Sequence, residues 1–146
     1  MFFTENAKWI PQDNLHLTVL YIGFVSPKQL SQIKVNAKSI RIPPLDVQLN
    51  LVSMFKRASI LWLGSDNPNE ALVELNSTVK KFCDPIVELK KEKFIPHVTL
   101  ARKFSSKKSQ CQIDPILWSV NRVYLMESVP TSVGVNYKVL QDYTLS

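Results

Sequence analysis

The chain has 146 residues, 45% of them hydrophobic, with three glycines, nine prolines and a net charge of +6. These values are typical of one compact domain spanning residues 1–146, and they exclude a fibrous or disordered protein and a dinucleotide-type glycine-rich loop. No apolar run is long enough to span a membrane and the opening residues lack a secretory signal, so we expect a protein that is neither membrane-bound nor exported.

In the first half of the chain the pattern predicts a strand, a helix and two further strands. The first strand is LHLTVLYI at residues 15–22, which is rich in β-branched and aromatic side chains. Ser26 and Pro27 supply an N-cap and a first-turn proline for an amphipathic helix that runs toward a Pro-Pro stop. Residues 45–51 alternate apolar and polar side chains, as in a strand covered on one face, and ASILWLG at 58–64 is the predicted antiparallel neighbour.

In the second half we predict one more helix and three more strands. The helix opens at Asn67-Pro68 and ends at Asp84-Pro85. The strands are PHVTLARKF, NRVYLMES and NYKVLQDYTL, separated by turn-rich or basic loops. This order predicts an α+β domain whose mainly antiparallel sheet carries two helices on its outer side and leaves the other face partly open as a groove.

The two histidines of the chain share one local pattern, LHLTV and PHVTL, in which Thr18 follows His16 by two residues and Thr99 follows His97 by two. Because strand side chains alternate between faces, each histidine projects to the same side as its threonine. Two imidazoles in one groove can act as an acid–base pair, and the hydroxyls beside them can hold a phosphate oxygen. The repeated pattern favours a catalytic role over two isolated structural histidines.

Two other kinds of site compete for the same residues. A zinc site could be built from His16, His97, Cys83 and Cys111, but none of these is spaced like a pair of structural zinc ligands. A serine or cysteine nucleophile activated by one histidine would leave the other motif without a role.

The cysteines form no CxxC pair, which favours free thiols and a cytoplasmic location. We therefore predict a site with no metal and no cofactor.

The positive charge is concentrated around the second motif. Residues 90–108 hold seven basic side chains and one acidic side chain, a net charge of +6, so the rest of the chain is balanced. A solvated lysine surface is the simplest explanation, but the position beside His97 favours salt-sensitive attraction of an RNA backbone. The predicted RNA-binding residues are Lys90, Lys91, Lys93, Lys103, Lys107 and Lys108.

The motifs and their surroundings resemble the two-histidine phosphoesterase superfamily, and specifically the RNA 2′,3′-cyclic phosphodiesterases, also called 2′-5′ RNA ligases. The similar stretches are NLHLTVLYIG (14–23), ILWLG (60–64), FIPHVTLAR (94–102) and YKVL (137–140), in the family's order over nearly the whole chain. The resemblance implies a two-lobed, mainly antiparallel fold with pseudo-twofold symmetry, outer helices and His-x-Thr motifs that face each other across a central cleft. It also implies that no metal is required.

The chain departs from the family pattern at its start. Relatives usually place a strand and a helix before the first motif, whereas fifteen residues precede His16 here. The family's N-terminal strand and helix are therefore expected to be missing. We expect a monomer, with a strand-exchanged oligomer as the alternative in which a second copy supplies the missing strand.

The resemblance implies hydrolysis of an RNA terminal 2′,3′-cyclic phosphate to a 2′-phosphate. One histidine removes a proton from the attacking water and the other protonates the leaving 3′ oxygen, with His97 taken as the base and a bell-shaped pH dependence expected. Thr18 and Thr99 would donate hydrogen bonds to the non-bridging oxygens. Arg102 matches the arginine that commonly ends the second motif, but strict alternation turns it away from His97, so a bulge or a strand end is needed.

Three alternatives use the same residues. The site could join a 2′-phosphate to a 5′-hydroxyl, or it could hydrolyse small cyclic nucleotides instead of RNA ends, and the sequence does not distinguish these. The third alternative is a non-catalytic RNA-binding remnant whose cleft no longer closes. The intact pairs, His16 with Thr18 and His97 with Thr99, argue against such decay.

Overall fold

The computed structural model describes residues 6–67 and 69–146. Within them it contains the helices α1 (Pro27–Ala37) and α2 (Glu70–Cys83) and a 3₁₀ turn (Gln12–Asn14). The strands are β1 (Lys8–Trp9), β2 (Leu45–Phe55), β3 (Ile60–Gly64), β4 (Val98–Arg102), β5 (Gln110–Val120), β6 (Arg122–Thr131) and β7 (Gly134–Thr144). β1 with β4, β2 with β3, β3 with β4 and β6 with β7 pair antiparallel, as the sequence predicts for this α+β chain.

The chain divides into two compact units. The described residues of Met1–Thr18, Val47–Asn69 and Ile95–Trp118 form the first unit. It contains most of a five-stranded sheet in the order β1-β4-β3-β2-β5. β2 and β3 form the predicted hairpin. The buried side chains of Leu61, Ala101 and Phe104 are a core cluster of this unit.

β5 is a strand that the sequence pattern does not predict. Pro115 lies in its middle and has no N–H to donate to a neighbouring strand, which argues against a central strand. The strand order places β5 at an edge of the sheet, where one side of the backbone needs no partner. An edge strand tolerates a proline, because the backbone groups on its outer side need no partner in the sheet.

The second unit consists of Val19–Asp46, Glu70–Phe94 and Ser119–Ser146 and contains both α-helices and the β6–β7 hairpin. α1 begins at the predicted cap, because Ser26 Oγ accepts a bond from the Gln29 N–H while Gln29 Oε1 accepts one from the Ser26 N–H. No helix among the described residues combines the length and apolar character needed to cross a bilayer.

The ends of α2 agree in part with the predicted ends. The helix begins at Glu70, three residues after Asn67, and the predicted first-turn residue Pro68 lies outside the described residues. It ends at Cys83, directly before the predicted Asp84-Pro85 stop. Leu72 and Leu75 of its apolar stripe are buried in the second unit.

The strand predicted over residues 15–22 is wrong. One residue of this segment, Leu17, forms a β-bridge, and no strand extends from it among the described residues. Beyond the bridge, the carbonyl of Val19 accepts a hydrogen bond from Asn76 Nδ2 at 2.7 Å, so a side chain replaces a neighbouring strand as its partner. The apolar pattern indicates that the segment packs against the protein. It does not indicate whether the backbone pairs with a neighbouring strand.

The two thiols differ in their surroundings, and this predicts different reactivity. Cys83 is fully buried against Ile33 and Val87, and burial together with the nearby Asp84 carboxylate raises the pKa of its thiol. Cys111 is half-buried at the start of β5. Since the thiolate is the nucleophile, we expect Cys83 to react with a maleimide at least about tenfold more slowly than Cys111 in the folded protein. Mass spectrometry of a Cys111→Ser variant, which should stay largely unlabelled until denaturant is added, checks this; rapid labelling of that variant would contradict it.

Candidate active site

The two His-x-Thr motifs meet as antiparallel neighbours within the first unit. Leu17 and Val98, the middle residues of the motifs, form an antiparallel bridge. In antiparallel pairing the residues on either side of a bridge oppose each other and project to the same face, away from the bridged side chains. Each histidine therefore lies opposite the threonine of the other motif. The opposed pairs are His16 with Thr99 and Thr18 with His97.

This pairing makes the two motifs equivalent about the Leu17–Val98 bridge. The histidines are diagonal neighbours, which in a regular antiparallel pair are about 7–8 Å apart. A separation of this size is wider than a direct contact between the two side chains. His16, His97 and Thr99 are half-buried and Thr18 is exposed. The face can therefore be reached by a solvent-borne ligand.

A local excursion of the backbone brings the first motif into this register. β1 pairs with the end of β4 through Trp9 and Ala101, and the chain rejoins β4 at the Leu17–Val98 bridge. Between these contacts the first segment advances eight residues while β4 advances three. The extra residues of the first segment form a bend that contains the 3₁₀ turn. Without this bend His16 would not lie opposite Thr99.

Both histidines are held by the same hydrogen bond. Nδ1 of His16 lies 2.6 Å from the Asn14 carbonyl oxygen, and Nδ1 of His97 lies 2.6 Å from the Ile95 carbonyl oxygen. A carbonyl oxygen can only accept, so Nδ1 carries a hydrogen and donates in both rings. In the neutral form of each ring, Nε2 then carries no hydrogen and can act only as an acceptor. The backbone two residues before each histidine thus sets both the tautomer and the orientation of the imidazole.

His97 is also enclosed by two aromatic side chains that were not predicted to belong to the site. Its ring packs edge-on against Phe55, with centroids 5.0 Å apart, and against Trp62 at 6.0 Å. Phe55 and Trp62 stack on each other at 5.2 Å. Trp62 is 8% exposed, and its indole N–H has no hydrogen-bond partner among the described residues. The sequence signal for these two residues was weak. It consisted of one aromatic residue at the end of β2, Phe55, and one in the adjacent strand β3, Trp62.

An irregularity in β4 places Arg102 on the same face of the sheet as His97 and Thr99, which we call the histidine face. Trp62 pairs with Thr99 and Leu61 pairs with Ala101, so Leu100 is an extra residue between the two pairs. The extra residue reverses the alternation beyond it. Arg102, opposite Ile60, therefore shares the face of Trp62 and Thr99. The bulge is one of the two arrangements that the sequence left open for Arg102, and Arg102 is also the last residue of β4.

The six predicted RNA-binding lysines are divided between the two units. Lys90, Lys91 and Lys93 belong to the second unit, and the other three belong to the first. All six side chains are exposed. Lys103 directly follows Arg102 at the end of β4, whereas the last two, Lys107 and Lys108, lie in the loop before β5.

The residues of the competing zinc site are not grouped. Cys83 is part of the core of the second unit, packed against Ile33 and Val87. Within residues 6–67 and 69–146 there is no group of three or more His, Cys, Asp or Glu side chains that could hold a metal ion. A metal-independent site stays a prediction that a chelator experiment can test.

The sequence profile of the 2′-5′ RNA ligase superfamily matches residues 4–130, which include both motifs and the strands around them. The chain belongs to the 2′-5′ RNA ligase superfamily. This confirms the family predicted from the two motifs. The match covers the 3₁₀ turn, the bulged β4 and the β2–β3 hairpin that carries Phe55 and Trp62.

Individual proteins are similar to nearly the whole chain. The RNA 2′,3′-cyclic phosphodiesterase of Thermotoga maritima is 27% identical over 147 residues, which cover 93% of this chain and 78% of that protein. The protein of the same name from Methanocaldococcus jannaschii is 25% identical over 154 residues, covering 97% and 87%. The crystal structure of Escherichia coli LigT complexed with 3′-AMP matches with a TM-score of 0.87 at 25% identity, covering 97% of this chain and 83% of that one. The predicted α+β fold is thereby confirmed.

Proposed function

We propose that this chain hydrolyses the terminal 2′,3′-cyclic phosphate of RNA to a 2′-phosphate, using His16 and His97 as an acid–base pair. The observation that carries the proposal is the antiparallel junction of the two motifs, which gives each histidine the threonine of the other motif as its neighbour. The relatives named RNA 2′,3′-cyclic phosphodiesterase support the choice of reaction.

The proposed reaction is an in-line displacement at phosphorus. Water attacks opposite the 3′ oxygen, the P–O bond to water forms and the P–O3′ bond breaks. Nε2 of His97 accepts the proton of the attacking water, and Nε2 of His16 donates a proton to O3′, which leaves as a hydroxyl. Their fixed Nδ1 bonds hold both rings in place throughout. The products are a 2′-phosphate and two histidines with exchanged protonation states.

The threonines and Arg102 are proposed to bind the phosphate as charge develops on its non-bridging oxygens. Thr18 and Thr99 oppose the two histidines on one face, so their hydroxyls can reach the same phosphate. The bulge at Leu100 turns Arg102 to that face, where its guanidinium can add charge-assisted bonds. We propose that the protein acts as a cytoplasmic monomer without a cofactor.

Replacing either threonine by valine is expected to lower kcat by roughly 10- to 100-fold, because valine keeps the shape and removes the donor to the developing charge. The loss should be smaller than for either histidine, since proton transfer remains. Steady-state kinetics on a 2′,3′-cyclic nucleotide measures the loss in Thr18→Val and Thr99→Val, with the serine variants as matched controls that retain the hydroxyl. Equal loss in the serine and valine variants would show that the hydroxyl is not the functional group.

The proposed activity is tested with a short RNA that ends in a 2′,3′-cyclic phosphate, incubated with purified protein with and without a chelator. We expect a 2′-phosphate product in equal yield in both samples. Abolition by the chelator would contradict a metal-independent reaction, and RNA binding without any product would indicate the non-catalytic remnant. Addition of an RNA with a 5′-hydroxyl end measures the joining reaction, which the name of the superfamily makes the second candidate.

A further inference from the structure

The strand register gathers positive charges at one end of the five-stranded sheet. Lys8, the first residue of β1, pairs with Arg102, the last residue of β4. Arg102 also opposes Ile60, the first residue of β3, and Ile60 opposes Phe55, the last residue of β2. These four residues form one row across the sheet. Because opposed residues share a face, Lys8 and Arg102 both lie on the histidine face.

Three further cations flank this row. Lys56 and Arg57 begin the turn that follows Phe55, and Lys103 follows Arg102. We call the five cationic residues the basic strand ends: Lys8, Lys56, Arg57, Arg102 and Lys103. Lys8, Lys56 and Arg57 lie outside the basic segment 90–108. The sequence alone therefore does not show that they lie near Arg102 and Lys103.

The basic strand ends have exposed side chains, and none of them forms an ion pair with an acidic side chain of residues 6–67 or 69–146. All five are exposed, and residues 56–59 and 102–104 contain no Asp or Glu. The ion pair found within the described part of the chain, Arg122 with Asp142, belongs to the second unit. Like charges directly opposite each other in a ladder, as Lys8 and Arg102 are, destabilise a sheet. A bound anion would relieve this repulsion.

We propose that the basic strand ends bind the backbone phosphates that precede the terminal cyclic phosphate of an RNA substrate. The row from Lys8 to the β2–β3 turn spans three strand spacings, about 14 Å. This is wider than one phosphate group, which makes a polyanion such as single-stranded RNA a better fit than a mononucleotide. The inference rests on the proposed function for the position of the RNA end, and it makes oligonucleotides the preferred substrates.

The test compares a triple variant, Lys8→Ala with Lys56→Ala and Arg57→Ala, with the unaltered protein. Fluorescence anisotropy measures binding of a labelled ten-nucleotide RNA that already ends in a 2′-phosphate, so binding is measured without turnover. We expect the Kd to rise about tenfold or more at 0.1 M salt and the slope of log K against log salt to fall by about 2, from roughly 0.7 per lost contact.

A control with the same change in net charge separates a local site from general attraction. Lys28, Lys38 and Lys138 are exposed residues of the second unit, and their triple alanine variant should bind this RNA within about twofold of the unaltered protein. Equal weakening in both triple variants, or unchanged binding in the first, would overturn the proposal. Loss of binding only in the first variant would support it even if the cyclic phosphate were not hydrolysed, so the two proposals can fail separately.

Discussion

Replacing His97 or His16 by alanine is expected to lower kcat for a 2′,3′-cyclic phosphate end by roughly 10²–10⁴-fold. Each variant removes one of the two Nε2 atoms that we propose to exchange protons with water and with the 3′ oxygen. KM should change far less, because the proposed phosphate-binding residues, the two threonines and Arg102, remain in both variants. Steady-state kinetics on a cyclic-phosphate RNA separates kcat from KM.

Two further readouts distinguish a chemical role of the histidines from a packing role. The kcat/KM of the unaltered protein should be bell-shaped in pH, and each alanine variant should lose one limb of that profile. Added imidazole should restore part of the activity of His97→Ala, where the ring leaves a space beside Phe55 and Trp62. A variant with full kcat and an unchanged pH profile would show that its histidine carries no proton in the reaction.

Replacing Gly64 by alanine is expected to damage both stability and activity. A Cβ atom at this position would lie 2.6 Å from Cζ3 of Trp62 and 3.1 Å from the carbonyl oxygen of Pro96. Neither atom is the end of a flexible side chain, so the aromatic ring or the backbone before His97 must shift. We expect the free energy of unfolding to fall by about 1–3 kcal/mol and kcat/KM to fall with it, because Trp62 and Pro96 both adjoin His97.

A double-mutant cycle identifies the cause of the Gly64 effect. Phenylalanine at position 62 lacks the atom that a Cβ at position 64 would contact, so Gly64→Ala and Trp62→Phe together should cost less than the sum of the single changes. Urea unfolding of the four proteins measures the coupling. Strict additivity would contradict a direct clash between residues 62 and 64.

Local chemistry in the sequence was sufficient to predict several parts of the fold. The Ser26-Pro27 start of α1 could be predicted because an N-cap and a first-turn proline are adjacent residues with local preferences, and α1 begins there in the structure. The alternation in β2 likewise needs only a sheet with one covered face. The pairs His16 with Thr18 and His97 with Thr99 could be selected because their spacing equals the strand period.

The parts that could not be predicted depend on how distant segments are aligned. The extra residue Leu100 is defined only by its position against β3, so the face of Arg102 could not be derived from β4 alone. The opposition of Lys8 and Arg102 requires the register of β1 on β4. That residues 1–146 form a single domain stays a prediction, as do the monomeric state and the central cleft.

Co-expression of the His16→Ala and His97→Ala variants tests most directly whether both motifs of one chain form one site. The Leu17–Val98 bridge places the motifs side by side within a single copy of the first unit. We therefore expect the mixture to open a 2′,3′-cyclic phosphate no faster than the two variants do separately. Recovery of activity in mixed oligomers, up to about a quarter of the sites in a random dimer that exchanges one motif, would contradict this account.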